Sequence, residues 1–401
     1  MHASDSRMIP ARIRRRTHLV FLLLAVSLIV IPSAWSQTLT TIYSFSGLAD
    51  GASPAAGLLP DAAGNLYGTT TAGGSAGGFG TIFKIDVAGN ETVLHSFNQT
   101  DGQDPRSDLL LDSVGNLYGT TFGGGTFDDG TVFKLDPAGT FSTLFSFDPA
   151  DNPGGEGPIG GLLLDTLGNL YGTTSFGGGS CFDGTIYKLN PAGSTQYLHC
   201  FSGADGYLPS AGLIRRGGSF YGVTQFGGAS NAGTVFRLGS DGTLTVLHSF
   251  SPGPDASPVA SLITDGQGNL YGTAQGTYTI LRCKTHGGCG TVFKLDPLGN
   301  ETVLYMFTGG ADGAIPQGGL LRDKAGNLYG TTYKGGDTNL GTVFRINANG
   351  QFQTLHSFAG GAEGARPTGR LIRDAAGNLY GTTSVGGPAN EGTVFKLVLT
   401  Q

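Results

Sequence analysis

A short string reading LYG or FYG returns seven times along this chain. Its tyrosines are Tyr67, Tyr118, Tyr171, Tyr221, Tyr271, Tyr329 and Tyr380, spaced 51, 53, 50, 50, 58 and 51 residues apart. A period near 50 residues is that of a β-propeller blade and is longer than the periods of helical or leucine-rich solenoids. Each period also holds four runs of strand length. In the second copy they are 108–112, 116–121, 130–136 and 141–147. The string DSVGN between the first two runs, and DPAG between the last two, put Gly where a tight hairpin needs positive φ. Runs such as GTVFKL are apolar on both sides of the strand, as expected when each sheet lies between two neighbours. The repeat therefore predicts an all-β, seven-bladed β-propeller with four-stranded blades.

The ends of the repeat sharpen that reading. The last copy stops after its third strand, 392–397, while an orphan run resembling a fourth strand, TTIYSF at 40–45, precedes the first copy. Pairing the two completes the seventh blade, closes the ring and removes exposed sheet edges.

Ahead of the repeat, Arg12, Arg14, Arg15 and Arg16 precede an uncharged run, 19–31, and a small-residue stretch, Ser33-Ala34-Trp35-Ser36. This order is that of a cleaved signal peptide spanning 1–36, and the apolar run is too short to cross a bilayer comfortably. The expected mature chain, 37–401, is then one repeat domain, secreted to the periplasm or the medium, with no transmembrane segment. Without 1–36 it keeps 18 basic and 28 acidic side chains, a net of −10, which argues against a nucleic-acid partner. Gly supplies 71 of 401 residues, but the apolar positions recur in fixed order, so the glycine marks turns rather than disorder.

The repeated core GLLxDxxGNLYGTTxxGG…GTVFKLDxxG…TVLHSF resembles the Gloeo/Verruco (GloVer) tandem repeat over essentially all of 38–401. The resemblance implies an exported or surface-associated bacterial propeller and brings no catalytic residues with it. The chain ends at Gln401 with no anchor segment after the repeat, so free release is expected.

Candidate functional residues fall mainly on the face formed by the fourth-to-first and second-to-third loops. Each fourth-to-first loop holds an acid shortly before a proline: Asp50, Asp101, Glu156, Asp205, Asp255, Asp312 and Glu363. A ring of carboxylates, with Asp50, Asp101, Asp205 and Asp312 the clearest, is the pattern that would collect calcium, a hard cation. The competing and favoured reading is a turn in which the acid accepts backbone N–H bonds, so no cofactor is expected. Phe122, Phe176, Phe226 and Tyr333 precede the Gly pairs of the second-to-third loops and are candidate stacking platforms for a sugar, against packing between blades. An insertion in the fifth copy carries Tyr278, Arg282, Lys284 and His286, the best candidate for an individual site.

Four cysteines in an exported chain suggest two disulfides, Cys181 with Cys200 and Cys283 with Cys289. The third strands carry Lys84, Lys134, Lys188, Arg237, Lys294, Arg345 and Lys396, expected to pair with turn acids such as Asp61 and Asp374. His95, His199, His248 and His356 alternate with Tyr43, Phe145 and Tyr305 on the fourth strands, which marks them as packing residues. No nucleophile elbow, phosphate loop or HExxH string is present. The expectation is a monomeric, non-enzymatic module binding a glycan or a protein partner. The alternatives are a hydrolase or lyase with its site at the channel mouth, and a cell-surface scaffold.

Overall fold

The structure, a computed structural model, describes residues 37–150, 154–177, 181–276 and 288–399. Seven antiparallel sheets stand in a ring; six have four strands, and the seventh is assembled from both ends of the chain. In the second blade the strands are Leu110–Leu111, Leu117–Thr121, Thr131–Leu135 and Phe141–Ser146. The first strand is shorter than the sequence suggests. The residues just before it run along the ring axis, where Arg106 and Asp108 line a channel shared by all seven blades. Among the described residues the one helical element is a 3-10 turn, Gly361–Glu363.

The core is not inside the blades but between them. Seven buried clusters each draw residues from two adjacent blades. The closing aromatic of every fourth strand meets the third-strand ring of the next blade edge-on: Phe45 on Phe83, Phe97 on Phe133, Phe147 on Tyr187 and so on around the ring, at centroid distances of 5.1–5.3 Å. Edge-to-face packing suits the ring quadrupoles. The Gly of each LYG string makes room for that third-strand ring. A Cβ on Gly68 would stand 2.5 Å from the Phe83 ring, and one on Gly119 would stand 2.5 Å from Phe133.

A second stitch joins each pair of blades at the loop face. The residue before the proline of every fourth-to-first loop adopts a left-handed conformation, with φ of 53–63° at Ser53, Asp104, Gly157, Leu208, Ser257, Ile315 and Arg366. That conformation is costly for a non-Gly residue, and more so ahead of proline. It persists because it turns the N–H back to the preceding blade, onto Glu391, Phe79, Asp129, Asp183, Ala232, Cys289 and Leu340 carbonyls at 2.7–3.1 Å. The following proline seats against the Gly that opens the preceding blade's third strand. A Cβ on Gly130 would fall 2.7 Å from Pro158 Cδ.

The seventh blade closes as the chain ends suggest. Gln37–Ser44 pairs antiparallel with Thr393–Leu399, from Gln37 opposite Leu399 to Ser44 opposite Thr393, with a one-residue bulge between Thr41 and Tyr43. The seam it forms repeats the others, with Phe45 on Phe83, Ser53 N–H on the Glu391 carbonyl, and Pro54 against Gly392. The added strand starts three residues earlier than the orphan run, so the pairing reaches past the repeat itself.

Cys181 and Cys200 form a disulfide, with their Cα atoms 5.1 Å apart, tying the long loop of the third blade to its fourth strand. Cys289 is also disulfide-bonded. The expected pairing with Cys283 falls outside the described residues. No helix among the described residues is long and apolar enough to cross a membrane.

The expected ion pairs between third-strand cations and turn acids do not form as drawn. Asp61 Oδ1 accepts the N–H groups of Ala63 and Asn65, and its Oδ2 accepts Asn65 Nδ2 at 2.7 Å and the Tyr67 hydroxyl at 3.1 Å. The same clamp recurs at Asp112, Asp165, Asp265, Asp323 and Asp374, each holding the LYG tyrosine at 2.9–3.2 Å. With those oxygens occupied, the lysines turn to the tyrosine faces instead: Lys84 over Tyr67, Lys188 over Tyr171 and Lys396 over Tyr380, at 5.5–5.9 Å. Asp323 does meet a cation, but it is Arg373 of the next blade, at 3.5 Å.

Candidate functional site

The loop acids were candidates for a cation ring, and the structure gives most of them other work. Asp50 accepts Ser46 N–H at 2.7 Å and the Tyr43 hydroxyl at 3.0 Å. Asp101 accepts Asn98 N–H and meets His95 Nε2 at 3.1 Å; Asp205 accepts Ser202 N–H and meets His199 Nε2 at 2.8 Å. Asp312 accepts Thr308 N–H at 2.7 Å and the Tyr305 hydroxyl at 3.1 Å. Burial pushes the Asp205 carboxyl upward, but the bonds from His199 and Ser202 outweigh it and hold the group below the usual range. Burial beside Asp312 pushes the Tyr305 hydroxyl up to about 12. These acids thus close turns, Asx-fashion, and anchor the polar tip of the fourth-strand residue. They sit by the outermost strand, away from the axis. Among the described residues no three His, Cys, Asp or Glu side chains gather as a metal site would require.

The fourth-strand histidines pack, as their exchange with Phe and Tyr suggests, but they also bond. His95 stacks flat on Phe141 at 3.8 Å while reaching Asp101. His248 reaches across a seam to Glu301 at 3.3 Å, and His356 lies 3.4 Å from Glu363. The sequence signal for this was the joint recurrence of His or Tyr and an acid six or seven residues later.

Register separates the four aromatic candidates. Phe122 and Tyr333 directly follow the second strands Leu117–Thr121 and Leu328–Thr332, whereas Phe176 and Phe226 stand one residue further along, after Leu170–Thr174 and Ser219–Thr224. With a period of two, neighbouring positions face opposite ways. Phe176 and Phe226 bridge to Glu156 and Tyr207, and Phe226 stacks on the Tyr207 ring at 5.2 Å. Phe176 is 44% exposed. Phe122 is half-buried, with the Arg106 guanidinium 4.5 Å above its ring and Gly157 against its edge. Tyr333 lines a cavity. Tyr278, Arg282, Lys284 and His286 lie outside the described residues.

That cavity was not legible in the repeat. It measures about 750 Å³ and opens at the loop face over the sixth, seventh, first and second blades, lined by Ser53, Thr71, Phe79, Gln103, Asp104, Arg106, Gln317, Tyr333, Thr368 and Ser384. Beneath it a channel of about 140 Å³ follows the axis, touched by every blade. Arg106, Gln317 and Thr368 line both. The channel is narrow because small residues bring the innermost segments together: a Cβ on Gly369 would stand 2.4 Å from the Ala56 carbonyl.

Most of the lining comes from three positions of each repeat: before the proline, after it, and at or just past the end of the second strand. In the cavity sector these supply Ser53, Asp104, Arg106, Gln317, Thr368, Thr71, Tyr333 and Ser384. The third to fifth blades put Gly157, Ile159, Ser175, Leu208, Ser210, Gln225, Ser257, Val259 and Gln275 at the same places. The scaffold thus repeats while the side chains at these positions differ from blade to blade. Arg106 Nε donates to Asp104 Oδ2 at 2.9 Å; deeper, Arg370 lies 3.8 Å from Asp108, which also accepts Gly57 N–H at 2.7 Å. Concave, mixed polar and aromatic lining of this volume is what small-ligand sites offer.

In solved structures, this architecture is shared with virginiamycin B lyase from Staphylococcus aureus, at 13% identity and a TM-score of 0.60 over 91% of this chain and 100% of that one. It is also shared with the extracellular domain of BT4673 from B. thetaiotaomicron, assigned to the hybrid two component systems. There the identity is 12% and the TM-score 0.57, over 90% of this chain and 39% of that one. At such identities the likeness is one of fold. No curated protein matches the sequence. The family model described as the Gloeobacter/Verrucomicrobia repeat matches residues 32–181, 150–288 and 278–401, and the chain belongs to that family.

Proposed function

We propose that this chain is an exported, non-enzymatic propeller that binds a glycan at its channel mouth. The observation that carries the reading is the cavity of about 750 Å³, in which hydroxyl, amide and guanidinium groups converge beside Tyr333. Sugars ask for that mixture: directional hydrogen bonds to ring hydroxyls and an aromatic neighbour for the apolar sugar face. The divergent side chains cluster here while the scaffold around them repeats, which is how a rigid fold carries a specific site on its loops. Export is supported by the Cys181–Cys200 disulfide, since such bonds persist in oxidising compartments, and by the signal-peptide order of residues 1–36. Against catalysis, Asp50, Asp101, Asp205 and Asp312 are engaged with backbone N–H groups, His and Tyr, and Asp104 and Asp108 at the mouth are paired with arginines.

Calorimetric titration against an oligosaccharide panel, with chromatography of the mixture afterwards, tests the reading. Binding without new products, weakened about tenfold or more by Tyr333→Ala together with Gln317→Ala, is the expected outcome. New products would make the chain a hydrolase or lyase. Unchanged affinity in the double variant would move the site elsewhere.

A further inference from the structure

Resting on the reading of the mouth as a glycan site, we infer that the glycan it takes is a neutral one, and that Arg106 is the side chain that reads its hydroxyls. The charged residues along the cavity and the channel beneath it are Asp104, Arg106, Asp108 and Arg370, two acids and two arginines. They are matched in pairs. Arg106 Nε and Nη2 both donate to Asp104 Oδ2, and Arg370 lies 3.8 Å from Asp108. The other polar side chains on the cavity wall are hydroxyls and the amides of Gln103 and Gln317, which offer donors and acceptors without charge. A charged ligand would give up water for a wall with no opposite charge free to meet it, which is unfavourable. A sugar bearing only hydroxyls has no ionic hydration to lose.

Arg106 is singled out by how it is held. Among the residues that follow the loop prolines it alone is charged. Its guanidinium lies 4.5 Å over the ring of Phe122, the one phenylalanine at its position in the repeat. That ring in turn needs Gly157, the one glycine among the residues that precede the loop prolines: a Cβ there would stand 2.7 Å from Phe122 Cε2. Three departures from the repeat thus meet in one stack. Gly157 leaves room for Phe122, Phe122 bears the guanidinium, and Asp104 fixes the direction of its fork. So held, Arg106 keeps Nη1, which donates to none of the described residues, for a ligand oxygen where cavity and channel join.

The test is calorimetric titration of the purified protein, at low and at high salt, with galactotetraose, mannotetraose and cellotetraose, each beside the tetrasaccharide of its uronic acid. The expected result is that one neutral sugar binds at least about tenfold more tightly than its acid, with an affinity that salt leaves unchanged. Arg106→Met should weaken that binding about tenfold or more at an unchanged melting temperature, because the side chain is exposed. Phe122→Leu should weaken it less, and Phe122→Tyr, which keeps the ring, should not weaken it. Asp104→Asn, an exchange the left-handed backbone accepts, should uncover the Arg106 charge and raise the acid's affinity at low salt. An acid that binds as tightly as its neutral counterpart, or that gains nothing from Asp104→Asn, overturns the neutral assignment. Neutral binding that survives Arg106→Met, or equal losses in the two Phe122 variants, overturns the role given to the stack. Each of these results leaves the glycan reading standing. If no neutral and no acidic sugar binds, both readings fall.

Discussion

At the scale of single residues, the repeat is a set of paired hydroxyls, rings and turns, and its exceptions are the informative places. In six blades two buried threonines bond side chain to side chain, as in Thr70 with Thr81 and Thr121 with Thr131, at 2.7–2.9 Å. The fifth blade has Ala274 at one of these positions, and Thr291 Oγ1 is left buried without a partner. Ala274→Thr should restore the bond and stabilise the protein by about 1 kcal/mol in denaturant titrations; a neutral or destabilising result would mean that the site cannot accept the hydroxyl. Glu91 is a second exception. Burial, and then the nearby charge of Asp50, push its carboxyl up to about 7. The folded chain thus holds this proton more tightly than the unfolded one, so the stability it contributes is complete below about pH 4.5 and is lost as pH rises through 7. Glu91→Gln should raise stability at pH 8 by about 1–2 kcal/mol, allowing for its partial exposure, and change little at pH 4. Equal effects at both pH values would assign the change to packing.

At the scale of elements, the seams carry the fold and the strand that completes the seventh blade is the critical one. Gln37–Ser44 contributes Leu39, Ile42 and Tyr43 to the clusters on its two sides. Deleting 37–44 should cost about 3–5 kcal/mol from this burial alone and expose Thr393–Leu399 as a free edge, seen as a lower melting temperature and concentration-dependent aggregation. An unaltered melting temperature would show the ring to hold without its closing strand. The strands themselves were legible in the sequence to within three residues, because alternating side chains and Gly turns report local geometry. The stitches between blades were not. That Ile315 and Leu208 would take left-handed φ depends on the neighbouring blade, whose Cys289 and Asp183 carbonyls receive their N–H groups.

At the scale of the whole molecule, two sets of carboxyls set a pH window. Burial tends to raise the turn aspartates, yet the bonds from Asn and Tyr outweigh it, and Asp165 and Asp265 are brought down to about 2. Groups lowered in this way contribute stability that is present above about pH 3.8 and lost as pH falls toward 2, while Glu91 works in the opposite direction above neutrality. The melting temperature should therefore peak between about pH 4 and 6 and decline on both sides; a maximum at pH 8 would contradict the assignment of Glu91. The sequence by itself determined the blade count, the strand order and the closing pair of ends, because these follow from a repeated local pattern and from the need to leave no sheet edge unpaired. Only the tertiary structure decided which side chains meet at the axis. Arg106 belongs to the second blade, Gln317 and Tyr333 to the sixth and Thr368 to the seventh, so no repeat spacing gathers them; they line one cavity because the ring brings the two ends of the repeat together around a common mouth.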